Sequence, residues 1–172
     1  NNDTVQQAAA DTPSVDLRPE RSLSYEVALR KEVDTVRWQA SVFWTDIEDM
    51  ILRTPAGSSS DSILFSRSNR DAHINGVEFA AEKRLSTNWT AYGNFSYIYG
   101  QDLDLDEPLS RIPPTQGVVG LRWRNSEKYE FVDIYSWLVD TQDRLNFQDV
   151  SDGRIPDGGT PGYGTISVRY GT

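Results

Sequence analysis

Four arginines, Arg67, Arg70, Arg111 and Arg154, and the single histidine, His73, stand in or beside long polar stretches of the chain. Guanidinium groups there could grip an anionic ligand through charge-assisted hydrogen bonds. These five residues are the candidate ligand-binding set. A lone imidazole could also be a metal ligand, but metal centres need several convergent ligands, so no metal site is assigned. Asp102, Asp104 and Asp106 alternate within one polar stretch. That stretch lacks the glycine at position six and the distal glutamate of a calcium-binding loop, and it reads as a solvated acidic loop. Carboxylates are numerous, yet no pair is set apart for acid and base work, and no nucleophile elbow, phosphate-binding glycine loop or zinc motif is present. The chain is therefore not expected to be an enzyme or to carry a cofactor.

Composition narrows the remaining classes. A net charge of −9 and a pI near 4.6 exclude a general nucleic-acid binder, which needs a basic stripe to neutralise phosphates. With no cysteine, neither a disulfide framework nor a thiolate metal site can form. An apolar content of 37% over 172 residues is enough to bury a core in an ordinary domain, so size alone excludes little. No run of about eighteen apolar residues exists, which excludes a transmembrane helix. A barrel strand passes that test, because alternation keeps mean hydropathy low, here −0.57. The beginning, Asn1-Asn2-Asp3, lacks the basic and apolar regions of a signal peptide. An exported protein must have carried one, so it is expected to have been removed or to lie ahead of this stretch.

The elements that must position these groups are alternating stretches of about ten residues. Leu23, Tyr25, Val27 and Leu29 alternate with polar partners, and Val36, Trp38, Ala40, Val42 and Trp44 do so more cleanly. A third stretch, Ile74 to Lys83, sets Val77, Phe79 and Ala81 on one side. A fourth sets Trp89, Ala91, Gly93, Phe95, Tyr97 and Tyr99 on one side, and a fifth sets Val119, Leu121 and Trp123 against Arg122 and Arg124. The sixth, Tyr129 to Val139, is apolar on both sides apart from Glu130, Asp133 and Ser136, which leaves its register open. The seventh sets Ile166, Val168 and Tyr170 against Thr165, Ser167 and Arg169.

The connectors follow a rule. Short ones lie near Lys31 to Thr35, Arg84 to Asn88 and Asn125 to Lys128. Long ones lie near Arg53 to Asp71, Gly100 to Thr115 and Thr141 to Gly162, and the two kinds strictly alternate. The Pro, Gly and Ser cluster from Thr54 to Ser62 is expected to be loop. Residues 1–21, with Ala8-Ala9-Ala10, Pro13 and Pro19, are expected to be a poorly ordered loop leading into the first strand, with a short helical turn. Short turns at one end and long loops at the other are the habit of an outer-membrane barrel. The expectation is all-β: about seven antiparallel, up-and-down transmembrane strands of a larger barrel. Trp38, Val42, Trp44, Val77, Phe79, Trp89, Phe95, Leu121 and Trp123 would then face lipid, with tryptophans and tyrosines as girdles at the two interfaces. A soluble all-β binding module using clustered loops as its recognition surface is the alternative.

Several motifs carry a family resemblance. Leu17-Arg18-Pro19-Glu20-Arg21-Ser22 followed by Tyr25-Glu26 resembles the approach to a late barrel strand in TonB-dependent outer-membrane receptors. Phe43-Trp44-Thr45-Asp46-Ile47-Glu48-Asp49-Met50-Ile51 resembles the strand end that follows, and Asn75-Gly76-Val77-Glu78 is similar to that family's "x-G-V-E" strand. Pro108-Leu109-Ser110-Arg111-Ile112-Pro113-Pro114 and Gly159-Thr160-Pro161-Gly162-Tyr163 match two later segments in the right order. The resemblance implies a 22-stranded barrel of the bacterial outer membrane, plugged by an N-terminal domain. It implies uptake of a scarce nutrient such as an iron chelate, haem or cobalamin. The partners implied are outer-membrane lipid, a small-molecule ligand such as a metal chelate, and the TonB complex, reached through the plug; nucleic acid is not among them. On this reading residues 22–172 are a partial receptor barrel, and the plug and remaining strands are absent from the chain.

Overall fold

Strict alternation gives each strand one apolar and one polar face, and neighbouring strands of this kind saturate one another's backbone groups without a second layer. The computed structural model, which describes residues 8–14, 16–58, 62–125 and 127–172, shows this arrangement. Its strands are β1 (Ala8–Asp11), β2 (Arg21–Val33), β3 (Val36–Ser58), β4 (Ser62–Arg84), β5 (Trp89–Asp102), β6 (Glu107–Pro108), β7 (Gln116–Asn125), β8 (Glu130–Val139) and β9 (Tyr163–Gly171), with one short helix, α1 (Phe147–Val150). The sheet runs β2-β3-β4-β5-β7-β8-β9, every adjacent pair antiparallel. The expected seven-strand meander is present, with β1 and β6 as additions at its margin.

The short connectors are tight for local reasons. Asp34 closes the β2–β3 turn with φ at 48°, a left-handed conformation that aspartate tolerates. Between β4 and β5 the Ser86 hydroxyl accepts from the backbone N–H groups of Asn88 and Trp89. All the long connectors lie at the opposite end of the sheet.

Register settles the faces. Val42 stands between Val27 and Val77, Phe79 beside Phe95, Trp89 beside Trp123, and Leu121 beside Ile134, which in turn meets Val168. Following these pairs across the sheet, Trp38, Trp44, Val77, Phe79, Phe95 and Leu121 fall on the same face as Val42. That face is open: Val42 is 56% exposed and Val168 67%. Among the described residues only Phe65, Ala72 and Leu109 are buried apolar side chains, so the sheet has no conventional core. The strand with ambiguous alternation, β8, places Val132, Ile134, Ser136 and Leu138 on the apolar face. Phe131, Asp133, Tyr135 and Trp137 share the other face with Arg122 and Arg169. Asp133 decides this register, because only one of the two alternatives sets it opposite both arginines.

Along β5, Trp89 and Tyr99 are separated by about 33 Å of strand, which a tilt of about 40° reduces to about 25 Å, the height of a barrel's apolar band. At the short-turn end Trp89 pairs with Trp123. At the long-connector end Trp44, His73 and Tyr99 stack in a row across three strands.

The stretch expected as a loop between Arg53 and Asp71 is instead a continuation of the β3–β4 hairpin. Thr54 to Ser58 remain in β3, Ser62 already begins β4, and residues 59–61 lie outside the described residues. The ladder carries irregularities between Ile47 and Met50 and, within the Pro, Gly and Ser cluster, between Pro55 and Gly57, where it skips a residue. Above Ala72, β4 has outrun β5 and offers a bare edge. Ala8 to Asp11, where composition suggested a helical turn, pair in parallel with Ser62 to Phe65 and cover it.

Val42→Arg is expected to destabilise folding into phospholipid vesicles by about 2–4 kcal/mol. Ser41→Arg, one residue away on the polar face, should cost far less. Denaturant titration of the full-length protein in both variants checks the difference, and equal costs would contradict the assignment of faces.

Candidate functional site

The polar face is a hydrogen-bonded surface. Glu26, Arg30, Gln39, Ser41, Glu78 and Asn94 line a hollow of about 720 Å³. The Arg30 guanidinium donates to Gln39 Oε1 at 3.2 Å, and Arg37 pairs with Glu82 at 3.4 Å. Three glycines make room for aromatic rings: Phe43 lies over Gly76, the Tyr92 ring over Gly120 and Phe131 over Gly171, each where a Cβ atom would stand. The second notch lets the Tyr92 hydroxyl reach Asp133 Oδ1 at 2.8 Å. Asp133 Oδ2 accepts from Arg122 at 3.1 Å and from Arg169 at 2.6 Å, and the carboxylate is fully buried although it belongs to a single-layered sheet.

At the long-connector end the loops pack on one another. Asp102 Oδ1 accepts from the backbone N–H groups of Asp104 and Leu105, while its Oδ2 holds Arg70 Nη1 at 2.8 Å. Leu109 and Ile112 fold back against Gly100. The second long connector docks onto this first one: Ser110 donates to Asp149 at 2.6 Å, and Gln142 Nε2 donates to the Ile112 carbonyl. Arg144 donates to Gln101 at 2.8 Å while lying 3.8 Å over the Tyr99 ring. Asn146 and Asp149 close a reciprocal capping box around α1.

The five candidate ligand-binding residues do not converge on one point. Arg67 lies on the hairpin, 3.9 Å from Asp11, which also holds Arg53 at 2.7 Å. Arg70 is spent on Asp102, with only 15% and 6% of the two side chains exposed. His73 stacks between Trp44, at 4.8 Å, and Tyr99, at 5.8 Å, in the aromatic row on the apolar side. Arg111 and Arg154 do share a neighbourhood. Arg154 grips Asp152 through two nitrogens, and that hydrogen bonding, helped by a weaker field from Arg111, pulls the Asp152 carboxyl down to about 2. Among the described residues, no three His, Asp or Glu side chains are grouped to hold a metal ion. Two features escaped the sequence reading. The capping signature Asn146-Phe147-Gln148-Asp149 could have revealed α1, whereas the Asp133 cluster is assembled from three strands and has no local signal.

A single antiparallel meander with one open apolar face, one polar face and long connectors at one end is a wall segment of an up-and-down β-barrel. Residues 1–171 match the family model described as TonB dependent receptor-like, beta-barrel, and the chain belongs to that family. It is 26% identical over 153 residues to the hemoglobin and hemoglobin-haptoglobin-binding protein of Haemophilus ducreyi, covering 72% of this chain and 16% of that protein. In fold it is similar to copper transporter OprC, with a TM-score of 0.75 at 22% identity, covering 90% of this chain and 24% of the other. The FrpB iron transporter of Neisseria meningitidis is also similar, with a TM-score of 0.62 at 20% identity, covering 88% of this chain and 24% of that one. The chain thus spans only about a sixth to a quarter of these relatives.

Two outcomes are expected. Arg70→Ala leaves Asp102 without its charged partner in a nearly closed site, which should cost about 1–3 kcal/mol and free the loop after β5; faster proteolysis between residues 103 and 115 reports it. Asp152 has a folded-state value below its ordinary 3.8, so its contact with Arg154 is complete above 3.8 and is lost as pH falls through about 2. A carboxyl titration by NMR should show this, and Arg154→Ala should return Asp152 towards 3.8.

Proposed function

We propose that this chain forms the late strands of the barrel of an outer-membrane receptor that imports a scarce nutrient, such as an iron chelate, haem or cobalamin, with energy delivered by the TonB complex. The observation that carries this reading is the consistent division of the seven-strand sheet into an open apolar face and a polar face. A water-soluble sandwich would cover the first with a second layer. Here the apolar side chains are open, and hydrocarbon is the solvent that suits them.

On this reading Trp38, Val42, Trp44, Val77, Phe79, Trp89, Phe95, Leu121 and Trp123 contact lipid, and the polar face lines the lumen. The long connectors are extracellular. Arg67, Arg111 and Arg154 stand exposed in them, where they meet an arriving ligand; Arg70 holds the loop after β5 in place, and His73 belongs to the outer aromatic girdle. A barrel of the proposed 22 strands needs a plug to close its lumen, and the plug relays the TonB interaction. The chain acts as receptor and wall, without a catalytic step.

Uptake provides the test. The full-length receptor, produced in a strain lacking its own high-affinity importers, should accumulate one of radiolabelled ferric chelate, haem or cobalamin, and only when TonB is present. Accumulation of none of them, or equal accumulation without TonB, would overturn the proposal.

A further inference from the structure

Three places in the chain set Asn or Asp before glycine: Asn75-Gly76, Asp152-Gly153 and Asp157-Gly158. At such a pair the glycine nitrogen, unhindered by a side chain, can attack the preceding side-chain carbonyl and close a five-membered imide, provided the backbone can bring the two atoms into contact. The structure treats the three pairs differently. Asn75 and Gly76 are held extended inside β4, paired on both sides with β3 and β5, and the Phe43 ring fills the space over Gly76. The nitrogen there cannot swing onto its neighbour without breaking the sheet. Asp152 is clamped: its two carboxylate oxygens accept from the backbone N–H, Nε and Nη2 of Arg154 at 2.6–3.2 Å. Those bonds fix the side chain and hold it in its anionic form, which is poor at expelling an oxygen. Asp157 has neither restraint. Its side chain stands exposed, and among the described residues no donor is bonded to it and no acceptor to the Gly158 N–H. Gly158 sits at φ 82°, with nothing within 4 Å of the place where a Cβ atom would stand.

We propose that Asp157-Gly158 is a site of spontaneous backbone isomerisation, at which aspartate becomes isoaspartate and the second long connector is released from the first. The Gly158 nitrogen bonds to Asp157 Cγ and gives up its proton, the carboxyl group gives up a hydroxyl, and the two leave as water. Water then returns to the imide: cleavage of the Cγ–N bond restores aspartate, whereas cleavage between the nitrogen and the main-chain carbonyl leaves the chain running through the side chain. The sum is an isomerisation that needs no other reactant. Its consequence lies in what the turn holds. The Gly159 N–H donates to the Pro156 carbonyl at 2.9 Å, and the turn so closed presents Thr160 to Gln142, with which it exchanges backbone hydrogen bonds of 2.9 and 3.0 Å. Gly159 lies so close to the Gln142 carbonyl that a Cβ atom would not fit. Gln142 in turn donates to the Ile112 carbonyl of the first connector. One extra methylene in the backbone of so tight a turn spoils the fit at Gly159, and with it the bridge at Gln142. The inference concerns the connector alone and does not depend on the receptor reading.

The test ages the full-length protein at physiological pH and temperature and digests it with trypsin, which places the three pairs on separate peptides, 71–83, 145–154 and 155–169. Fragment ions that distinguish the two isomers locate isoaspartate, and enzymatic methylation counts it. In folded protein it should accumulate in peptide 155–169 at least several-fold faster than in the other two. In protein aged unfolded in denaturant, 145–154 should keep pace with 155–169, because both then present the same Asp-Gly pair. Arg154→Gln should raise isomerisation at Asp152 in the folded protein. Backbone hydrogen exchange at Gln142 and Thr160 should be faster in aged protein than in fresh, and unchanged by ageing in Asp157→Glu, whose longer side chain would have to close a larger ring. No isoaspartate at 157, equal rates at 152 and 157 in folded protein, a preference for 157 that persists after unfolding, an inert Asp152 in Arg154→Gln, or unaltered exchange at Gln142 in isomerised protein would each overturn the inference.

Discussion

The structure depends on one constraint: a sheet that is a single layer thick has nothing of its own to put against its apolar face. The inner strands of the sheet are paired with a neighbour on either side, but the valines, leucines and aromatic rings between them remain open. In water that would be an aggregation surface. In a bilayer it is the favourable state, because the hydrocarbon accepts the side chains while the strand-to-strand ladder satisfies the backbone that lipid cannot. The two aromatic clusters, Trp89 with Trp123 and the row Trp44, His73 and Tyr99, sit about one apolar band apart, as the two interfaces of a membrane require.

The opposite face obeys a different rule. Polar and charged side chains there can be hydrated, yet many are organised into pairs and rungs across strands. Gly76 and Gly120 show how: each leaves a hole through which a neighbouring ring lies flat. At Gly120 that ring is Tyr92, whose hydroxyl completes the shell of a fully buried aspartate. Order continues into the connectors, where Arg70, Asp102, Ser110 and Asp149 tie two loops and a hairpin together. A crown fastened in this way presents a defined shape rather than a set of loose tethers.

Much of the fold was legible because period-two alternation is local. The pairs Val42 with Val77 and Phe79 with Phe95 follow from patterns that each strand carries alone, and Asp34 marks its turn by residue type. What was not legible depends on contacts between distant segments. Thr54 to Ser58 have the composition of a loop, but they become strand because β4 continues opposite them and β1 seals the far edge. In β8 both faces are largely apolar, so alternation is silent and the register follows from Asp133 meeting arginines eleven and thirty-six residues away. The loop arginines show the same limit: sequence placed them in the connectors, but not that Arg70 is committed to Asp102 while Arg111 and Arg154 gather at Asp152.

The most direct test of the two-faced wall is a nitroxide scan of positions 38–45 in the full-length protein in lipid bilayers, aided by the absence of cysteine from this stretch. Spin labels at 38, 40, 42 and 44 should relax with oxygen, which concentrates in hydrocarbon, and those at 39, 41, 43 and 45 with a water-soluble nickel chelate. A period of two with that phase is the expected outcome. Uniform accessibility along the strand, or the opposite phase, would contradict the account.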